Sequence, residues 1–366
     1  PTCGSGGMLI QTRNYLASHG ENPSNLMLSG QEMNLSTWAI CKLNMFLHGV
    51  RGADIRKGDT LGDPQHVENG EIMRFDRVIA NPPFSLKSWG RDLAENDGYG
   101  RYRFGIPPKD AGDLAFVQHM ISSLNNEGVM GVVVPHGVLF REGAEGNIRK
   151  GILESDLLEA VIGLPSALFY GTGIPAALMI INKQKSQEKK GKVLFINAEF
   201  DYQEGKNQNI LRDQDIEKIL SCFDSYNDIN RFARVISLEE IRENDHNLNI
   251  RRYADTSPPP ENFDVKGILH SGIPIKEIQD EYIQEVLEGF DVSVLLVRKD
   301  SDYMKFKEEI KEKSQIRQVL GNVSNGVAEQ LERWWDKYGI SIAQIDSEVK
   351  QSEAQMHKFL QELEYE

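Results

Sequence analysis

The chain has 366 residues, and its 41 Lys and Arg residues against 55 Asp and Glu residues give a formal net charge of −14 at pH 7. A protein that grips DNA unaided normally has a basic surface, so this balance argues against a self-sufficient nucleic-acid binder. It leaves room for a DNA-modifying subunit whose partner supplies phosphate contacts. The length suits one large domain and a smaller one, and the hydrophobic share of 40% is that of a soluble globular protein.

The three cysteines, Cys3, Cys41 and Cys222, are far apart in sequence and form no CxxC pair. An odd and scattered set argues against a disulfide framework and against a zinc site, so we predict no bound metal. The sequence has no apolar run of membrane-spanning length and no signal peptide. These features predict a protein of the reducing cytoplasm without a membrane partner.

The chain opens on a glycine-rich turn, Pro1-Thr2-Cys3-Gly4-Ser5-Gly6-Gly7. Apolar residues at helical spacing follow it, so the turn is predicted to begin a helix. Its glycines permit positive φ and allow a ligand to approach the backbone closely. Such a turn should follow a strand, so we expect the sequence to begin inside a motif, as an N-terminal truncation that lacks the first strand. A flexible terminal segment is the alternative.

The strand predicted over residues 25–32 ends in an acidic residue, Glu32. In nucleotide-binding α/β folds a carboxylate at this point accepts hydrogen bonds from ribose hydroxyls. A negative charge at the start of the next helix is an equally compatible interpretation. That helix is predicted over residues 35–47, and its residues expected to face inward are Trp38, Ala39, Leu43, Phe46 and Leu47.

A third short strand is predicted over residues 54–57, and the turn after it carries Asp59. Asp59 could accept a hydrogen bond from the amino group of a base, although a solvated turn residue is as good an interpretation on spacing alone.

The fourth strand, Phe75-Asp76-Arg77-Val78-Ile79-Ala80, is predicted to be short and buried, and it runs into Asn81-Pro82-Pro83-Phe84. Neither proline has an N–H for a sheet ladder, and each restricts the residue before it to extended geometry. The result is a stiff loop at the carboxyl end of a strand, where open α/β sheets bind ligands. A surface turn between a strand and a helix is the alternative interpretation.

This loop suits a narrow kind of chemistry. The side-chain oxygen of Asn81 and the carbonyl of Pro82 are both acceptors, and together they could hold the two hydrogens of an exocyclic NH2 group. Such bonds would favour the pyramidal amine and aim its lone pair at an electrophile, so the rate would come from positioning and local polarity. Phe84 could stack on a base drawn out of its helix.

Residues 85–112 form a long predicted loop that interleaves basic and aromatic side chains, namely Arg91, Arg101, Arg103 and Lys109 with Tyr99, Tyr102 and Phe104. That mixture suits a nucleic acid backbone and an extruded base, although an ordinary mobile loop is the competing interpretation.

Beyond the loop, helices are predicted over residues 113–124 and 144–153 and strands over 128–135, 158–163, 177–181 and 193–196. Alternating helices and strands predict a doubly wound, mostly parallel α/β sheet. Phe169 and Tyr170 lie between two of these strands, where they would complete an aromatic clamp or simply cover the sheet.

The C-terminal third changes character after the linker Thr256-Ser257-Pro258-Pro259-Pro260. It is predicted to be helical and charged, including residues 277–288 and 305–313. Its last stretch carries a coiled-coil-like seam with one polar interruption at Ile342, Ile345, Val349, Ser352, Met356, Phe359 and Leu363. We interpret this seam as a partner-docking helix; a helix packed on its own domain is the alternative. The predicted domains are 1–200, an α/β extension over 201–255, and 256–366.

Taken together and in this order, the segments resemble the modification (M) subunit of type I restriction–modification systems, a family of S-adenosylmethionine-dependent adenine-N6 DNA methyltransferases. The resemblance runs from Pro1 to about Tyr253. It rests on Cys3-Gly4-Ser5-Gly6-Gly7, Gly30-Gln31-Glu32, Gly58-Asp59-Thr60-Leu61, Asn81-Pro82-Pro83-Phe84, Gly137-Val138-Leu139-Phe140-Arg141, Ile162-Gly163-Leu164-Pro165, Phe169-Tyr170-Gly171-Thr172-Gly173-Ile174-Pro175 and Asn247-Leu248-Asn249-Ile250. The first four motifs are shared among amino-methyltransferases, whereas the later ones are more specific to this family.

The resemblance implies a role for each candidate residue. The residues implied to bind S-adenosyl-L-methionine are Thr2, Cys3, Gly4, Ser5, Gly6, Gly7, Glu32, Asp59 and Asn81, with Glu32 on the ribose and Asp59 on the adenine. The implied catalytic residues are Asn81, Pro82, Pro83 and Phe84, which would hold the target adenine. The implied partners are duplex DNA, a specificity subunit docked on the C-terminal helices, a restriction subunit and a second modification subunit.

Two other functions fit parts of the sequence. Asn-Pro-Pro followed by an aromatic residue also serves methyltransferases that act on RNA or on protein glutamine. The chain could also be an assembly module that binds its partner through the tail and lacks activity by itself.

Overall fold

A computed structural model gives the structure of residues 1–169, 173–256, 263–321 and 324–362. The chain forms two compact units, Pro1–Thr256 and Ser257–Glu366. Within the residues that the structure describes, no helix combines the length and the apolar character needed to cross a membrane.

The first unit contains nine α-helices among its described residues. They are α1 (Gly7–Ser18), α2 (Leu35–Leu47), α3 (Arg91–Ala94), α4 (Asp113–Ser122), α5 (Gly137–Phe140), α6 (Ala144–Glu154), α7 (Asp213–Ser225), α8 (Leu238–Glu243) and α9 (Ile250–Tyr253), with a 3-10 turn at Pro23–Asn25. The strands are β1 (Ser29–Glu32), β2 (Asp54–Lys57), β3 (Val67–Glu68), β4 (Glu71–Ile72), β5 (Phe75–Ala80), β6 (Leu124–Pro135), β7 (Leu158–Gly163), β8 (Ala176–Asn182), β9 (Lys192–Asn197) and β10 (Ala233–Ser237).

A six-stranded sheet with the order β10-β9-β7-β8-β6-β5 is the centre of this unit. Strands β5, β6, β7 and β9 run in one direction, whereas β8 and β10 run in the other. The sheet is therefore mostly parallel in direction, which confirms the predicted fold class. Strands β1 and β2 form a separate parallel pair, and β3 and β4 form a small hairpin.

The sheet buries both of its faces, because successive residues of its inner strands belong to two different hydrophobic clusters. Val161 of β7 and Phe195 of β9 pack on one face, with residues of α4 and α6. Ile162 and Leu194 pack on the other face, with residues of α7. Burial on both faces explains the nearly continuous apolar sequences of these strands.

The bounds of several elements agree with the sequence prediction, since α2, β2, β5 and β7 begin and end where predicted. The predicted orientation of α2 is wrong, however. Cys41 and Met45 are its buried residues, whereas Leu43, Phe46 and Leu47 are 56%, 78% and 68% exposed. Ala39 is exposed too, and Trp38 is half-buried, with its indole N–H donating to the carbonyl of Ile55 at 3.1 Å. Strand β5 lies at the edge of its sheet, so only Val78 and Ala80 are buried and the prediction of a buried strand is wrong.

The second unit has its own core. Its elements are α10 (Val265–His270), α11 (Ile275–Ile278), α12 (Glu281–Leu287), α13 (Lys313–Leu320), α14 (Asn325–Tyr338) and α15 (Ile342–Glu362), a 3-10 turn at Val292–Val294, and strands β11 (Ile273–Pro274), β12 (Leu296–Arg298) and β13 (Tyr303–Phe306). Trp334 and Tyr338 are almost completely buried. Both donate to the carboxylate of Glu277, at 2.9 Å and 2.6 Å, which joins α14 to α11.

The helical prediction for this region is correct at α12 and α15 but wrong at residues 305–313. Lys305 and Phe306 belong to β13, the central strand of a three-stranded antiparallel sheet, and the next helix begins at Lys313. Residues 257–260 of the predicted linker and Leu363 of the predicted seam lie outside the described residues.

Candidate active site

The glycine-rich turn immediately precedes α1 and is hydrogen-bonded to β1. The backbone N–H of Cys3 donates to the carbonyl of Gln31 at 3.0 Å, which holds the turn against β1. Gly4 and Gly6 both have positive φ, 58° and 82°, as predicted. A β-carbon on Gly6 would lie 2.4 Å from the methyl carbon of Met45, so glycine is needed there for conformation and for space. A β-carbon on Gly4 would meet nothing within 4 Å, so that side of the turn is open.

Glu32 is bonded directly to this turn. One carboxylate oxygen accepts the N–H of Gly4 at 3.1 Å, and the other accepts the N–H of Asn34 at 2.9 Å. Both interpretations of Glu32 are therefore compatible with the geometry, since the same carboxylate faces the turn and the start of α2. Asn44 of α2 adds a second link through its amide N–H to the carbonyl of Ser5 at 2.9 Å.

Thr2 adds an uncommitted polar atom at the turn. Its φ is 48°, and its hydroxyl oxygen is buried without a hydrogen-bond partner. A buried hydroxyl without a partner costs stability unless a ligand or water satisfies it. The open side of the turn, this hydroxyl and the carboxylate of Glu32 fit a ligand that carries hydroxyl and amino groups. Hydroxyl and amino groups of this kind occur in the ribose and methionine parts of S-adenosylmethionine, so the residues present fit that cofactor.

Cys3 and Cys41 approach each other beside the turn, with 3.9 Å between their sulfur atoms. Burial and the neighbouring thiol raise the pKa of Cys3 to about 12, and burial raises the pKa of Cys41 as well. Both residues are therefore neutral thiols at pH 7. Neither has the thiolate character that a nucleophile requires.

Asp59 is held within its own turn after β2. One carboxylate oxygen accepts the N–H of Leu61 at 3.0 Å, and the carbonyl of Asp59 accepts the N–H of Asp63 at 2.7 Å. The other carboxylate oxygen lies 2.7 Å from where a β-carbon of Gly62 would be, so glycine keeps space beside it.

Arg101 supports the same turn from the long loop. It is only 4% exposed and donates to the carbonyls of Thr60 and Leu61 at 3.0 Å and 2.8 Å. Its charge is balanced by Asp97 at 2.8 Å. Arg101 therefore lies inside the protein and is not available to a nucleic acid backbone, which corrects the prediction for this residue. The other three basic residues of the loop, Arg91, Arg103 and Lys109, are intermediate or exposed.

Asn81 follows β5 at the carboxyl edge of the sheet. Asn81 and Pro83 are exposed, whereas Pro82 is buried and anchors the loop. Within the described part of the chain, the Asn81 side chain takes part in no hydrogen bond. Phe84 lies edge-on to Phe169, with 6.5 Å between ring centroids and 81° between ring planes. The structure therefore brings together two of the three predicted aromatic residues; the third, Tyr170, lies outside the described residues.

Asp113 fixes the backbone of the Asn81 loop, a role that the sequence pattern did not indicate. Asp113 is 1% exposed at the first position of α4, and one carboxylate oxygen accepts the N–H of Ser85 at 2.8 Å. Ser85 directly follows Phe84 and has a φ of 49°, a backbone conformation that residues other than glycine rarely adopt. Burial raises the pKa of Asp113, and its second oxygen has no hydrogen-bond partner. The sequence signal was an acidic residue at a helix start, which normally indicates no more than a favourable charge.

Arg141 and Glu145 lie close to Asp113. The guanidinium of Arg141 is 3.5 Å from the carboxylate of Glu145, and it occupies the space that a β-carbon of Gly137 would need. Arg141 lowers the pKa of both carboxyl groups, although burial outweighs it and the pKa of Glu145 is raised overall. This explains physically why the Gly137–Arg141 motif carries both a glycine and an arginine.

The mixed sheet, the glycine turn before α1 and the acidic residue at the end of β1 define an α/β fold of the S-adenosylmethionine-dependent methyltransferase type. Residues 1–262 match the family N-6 DNA Methylase, and the chain belongs to this family. The match covers more than half of the chain and includes every candidate site residue.

Two similar curated proteins are named as methylase subunits of type I restriction enzymes. The chain is 40% identical over 300 residues to the type I restriction enzyme MjaVII methylase subunit of Methanocaldococcus jannaschii, covering 78% of this chain and 50% of that protein. It is 34% identical over 308 residues to the MpnII methylase subunit of Mycoplasma pneumoniae, covering 79% of this chain and 55% of that protein. The chain thus spans about half the length of these curated relatives.

A solved structure agrees with this family. The type I restriction-modification system methyltransferase subunit from Streptococcus thermophilus is 40% identical and superposes with a TM-score of 0.64. The match covers 70% of this chain and 53% of that chain. The predicted resemblance to type I modification subunits is therefore confirmed at the level of the family.

Proposed function

We propose that this chain transfers a methyl group from S-adenosylmethionine to N6 of an adenine flipped out of duplex DNA, as the modification subunit of a type I restriction–modification complex. The observation that carries this proposal is the exposed Asn81 amide, which has no hydrogen bond within the described residues and lies beside the Phe84–Phe169 ring pair. An uncommitted acceptor next to aromatic surface suits an exocyclic amine on a planar ring.

The proposed chemistry needs no strong base, because the methylated amino group carries a positive charge and readily loses its extra proton to water. Asn81 and the carbonyl of Pro82 accept the two hydrogens of the adenine amino group and direct its lone pair outward, while Phe84 packs against the ring. Because the acceptors are held on a rigid proline loop, they need little reorganisation as positive charge develops on the nitrogen. Asp113 maintains the loop by accepting the N–H of Ser85.

The geometry of the glycine turn supports the proposed cofactor residues. Bound S-adenosylmethionine supplies an electrophilic methyl group. The backbone of Gly4 to Gly7 and the hydroxyl of Thr2 bind its amino-acid part, Glu32 its ribose and Asp59 its base. The open space beside Gly4 and the unpartnered Thr2 hydroxyl support this assignment.

The test is Asn81→Ala in the full-length protein assembled with its partners. Removing an acceptor that acts in the transition state is expected to lower kcat about 10²–10³-fold. Calorimetry measures any change in S-adenosylmethionine affinity separately, because the resemblance also implies a cofactor contact for Asn81. Asn227→Ala is the matched control, because Asn227 is exposed and lies outside the candidate site. Methylation at the wild-type rate in Asn81→Ala would contradict the mechanism.

The partner assignment rests on α15. Five apolar residues of the predicted seam are each about half exposed: Ile342, Ile345, Val349, Met356 and Phe359, at 48–53%. An exposed apolar stripe at this spacing favours packing against another helix. The proposed occupant is the specificity subunit, with the restriction subunit and a second modification subunit completing the complex.

Val349→Asp should abolish co-purification with the specificity subunit while leaving the free energy of unfolding unchanged. Gln351→Asp adds the same charge to a neighbouring exposed residue and should not affect co-purification. Retained assembly in Val349→Asp would overturn the partner assignment. Calorimetry with S-adenosylmethionine separates the enzyme from a non-catalytic assembly module, since only the enzyme requires saturable cofactor binding.

A further inference from the structure

A cavity of about 300 Å³ lies at the amino edge of the main sheet. Three of its lining residues locate it: Arg74 precedes β5, Ser122 ends α4, and Lys183 follows β8. Asn81 follows the carboxyl end of β5. The cavity is therefore at the opposite edge of the sheet from the candidate active site, and Tyr99 and Arg103 of the long loop are among its lining residues.

Positive charge converges on this cavity. Arg74, Arg103 and Lys183 line it, and among its described lining residues Glu71 is the acidic one. The Glu71 side chain is 78% exposed and lies 3.9 Å from Arg74, so it offsets little of the charge. Three cations around one cavity contrast with the net charge of −14 of the whole chain.

Most side-chain N–H groups of these three residues make no hydrogen bond within the described residues. In the described part of the chain, the guanidinium groups of Arg74 and Arg103 donate no hydrogen bond. Lys183 donates one, to the carbonyl of Leu124 at 2.7 Å, which leaves two of its three N–H groups. Arg103 lies over the ring of Phe104 at 4.6 Å, and this contact orients the planar group without using its N–H donors.

The local electrostatics also favour an anion. Partial burial, together with the smaller effect of the positive charges of Arg74 and Arg103, lowers the pKa of Lys183 to about 8. A bound anion would remove this mutual repulsion. Two glycines of the long loop, Gly98 and Gly100, form part of the wall, and Gly100 has open space where a side chain would be.

We propose that this cavity is a binding site for a phosphate group. Two guanidinium forks and an ammonium match the geometry and charge of phosphate oxygens, which accept several charge-assisted hydrogen bonds at once. The group could belong to a free phosphate or phosphomonoester, or to the backbone of DNA, since the chemistry of recognition is shared. The site stands on its own residues and does not depend on the proposed methyl transfer.

Phosphate bound here has a structural consequence. Arg103 is two residues from Arg101, which holds the carbonyls of Thr60 and Leu61 next to Asp59. An anion that fixes Arg103 therefore restricts the segment supporting the Asp59 turn.

The experiment is calorimetry of the chain with inorganic phosphate, at an ionic strength matched with chloride. The double variant Arg74→Gln/Arg103→Gln removes two exposed guanidiniums without opening the core and should weaken phosphate binding about tenfold or more. Lys183→Gln is the second variant and should weaken it too. Lys190→Gln, an exposed lysine outside the cavity, is the matched control and should bind like wild type.

A second arm identifies the source of the phosphate. A short duplex is added to phosphate-saturated protein: displacement of phosphate identifies a DNA backbone site, and retention identifies a site for a free phosphate or monoester. The proposal is overturned if phosphate binds no better than chloride, or if the double arginine variant binds it like wild type.

Discussion

The glycine turn and the Asn81 loop are the two halves of the proposed site, and their polar groups are held in different ways. The turn is tied to its surroundings through Glu32, Cys3 and Ser5, each in a hydrogen bond with a neighbouring element. The Asn81 side chain has no such tie within the described residues, although Pro82 and Asp113 fix the backbone around it. Apart from the unpartnered Thr2 hydroxyl, the polar groups of the turn stabilise the fold, whereas the Asn81 amide is left available to a substrate.

This difference predicts how each half responds to substitution. A residue whose polar groups are already bonded contributes to folding, so its loss lowers stability. A residue that keeps its polar groups free for a substrate contributes little to folding, and its loss affects turnover alone. Measurements of unfolding free energy along the two halves therefore test the contrast directly.

The largest effect on stability is expected at Gly6. In Gly6→Ala, a positive φ and a β-carbon 2.4 Å from the Met45 methyl carbon combine strain with overpacking. We expect a loss of about 2–4 kcal/mol in the free energy of unfolding, measured by denaturant titration, with weaker cofactor binding. Gly20→Ala is the control, because Gly20 has a φ of 77° but open space around it, and should cost only about 1 kcal/mol. Equal losses in the two variants would contradict the role of the packing contact.

A smaller effect is expected at Asp113. Asp113→Ala leaves the N–H of Ser85 without its acceptor and should cost about 1–3 kcal/mol of stability. Asp113→Asn keeps an acceptor oxygen and should recover most of that loss. It should also restore kcat, because the loop is again fixed. Failure of the asparagine variant to recover either quantity would show that the charge, and not the hydrogen bond, is what matters.

The stability of wild type and that of Asp113→Asn are expected to depend differently on pH. Burial raises the pKa of Asp113 above its ordinary value of 3.8. Protonation of the Asp113 carboxyl therefore adds to the free energy of unfolding when the pH is below this ordinary pKa. The added stability is lost as the pH rises through the raised pKa of the folded state. Asparagine does not titrate, so the stability of Asp113→Asn relative to wild type should increase over that rise.

The smallest effect on stability is expected at Asn81. Because its side chain is exposed and makes no hydrogen bond within the described residues, Asn81→Ala should change the free energy of unfolding by less than about 0.5 kcal/mol. The same variant is expected to lose most of its methylation activity. A large loss of stability would mean that the amide is bonded in the folded protein, and the contrast between the two halves would disappear.

The local sequence predicted the elements well where backbone chemistry decides. Pro82 and Pro83 end β5 because a proline ring restricts the backbone and provides no N–H for the sheet. Helix α2 ends before His48 and Gly49, and Gly49 has a positive φ, which glycine adopts readily. The positive φ values of Gly4 and Gly6 follow from the same kind of local reasoning.

Local sequence did not predict which side of a helix is buried or which distant residues a side chain contacts. Helix α2 has apolar residues on two sides, and periodicity alone does not say which side meets a sheet; the side with the smaller Cys41 is buried, and Phe46 is exposed. Residues 305–313 are highly charged, which is compatible with a helix or an exposed strand. Arg101 and Asp113 act on partners 40 and 28 residues away, so only the tertiary structure reveals what they bind.

The position of strand β8 also constrains the order in which the strands of the main sheet can pair during folding. It lies between β6 and β7 and pairs with both, although it is the last of the three in sequence. During synthesis, β6 and β7 therefore emerge from the ribosome without the neighbour that joins them, and each has an open edge until residue 182 is available. Closing the centre of the sheet is a late and non-local step, which makes it the expected slow step of folding.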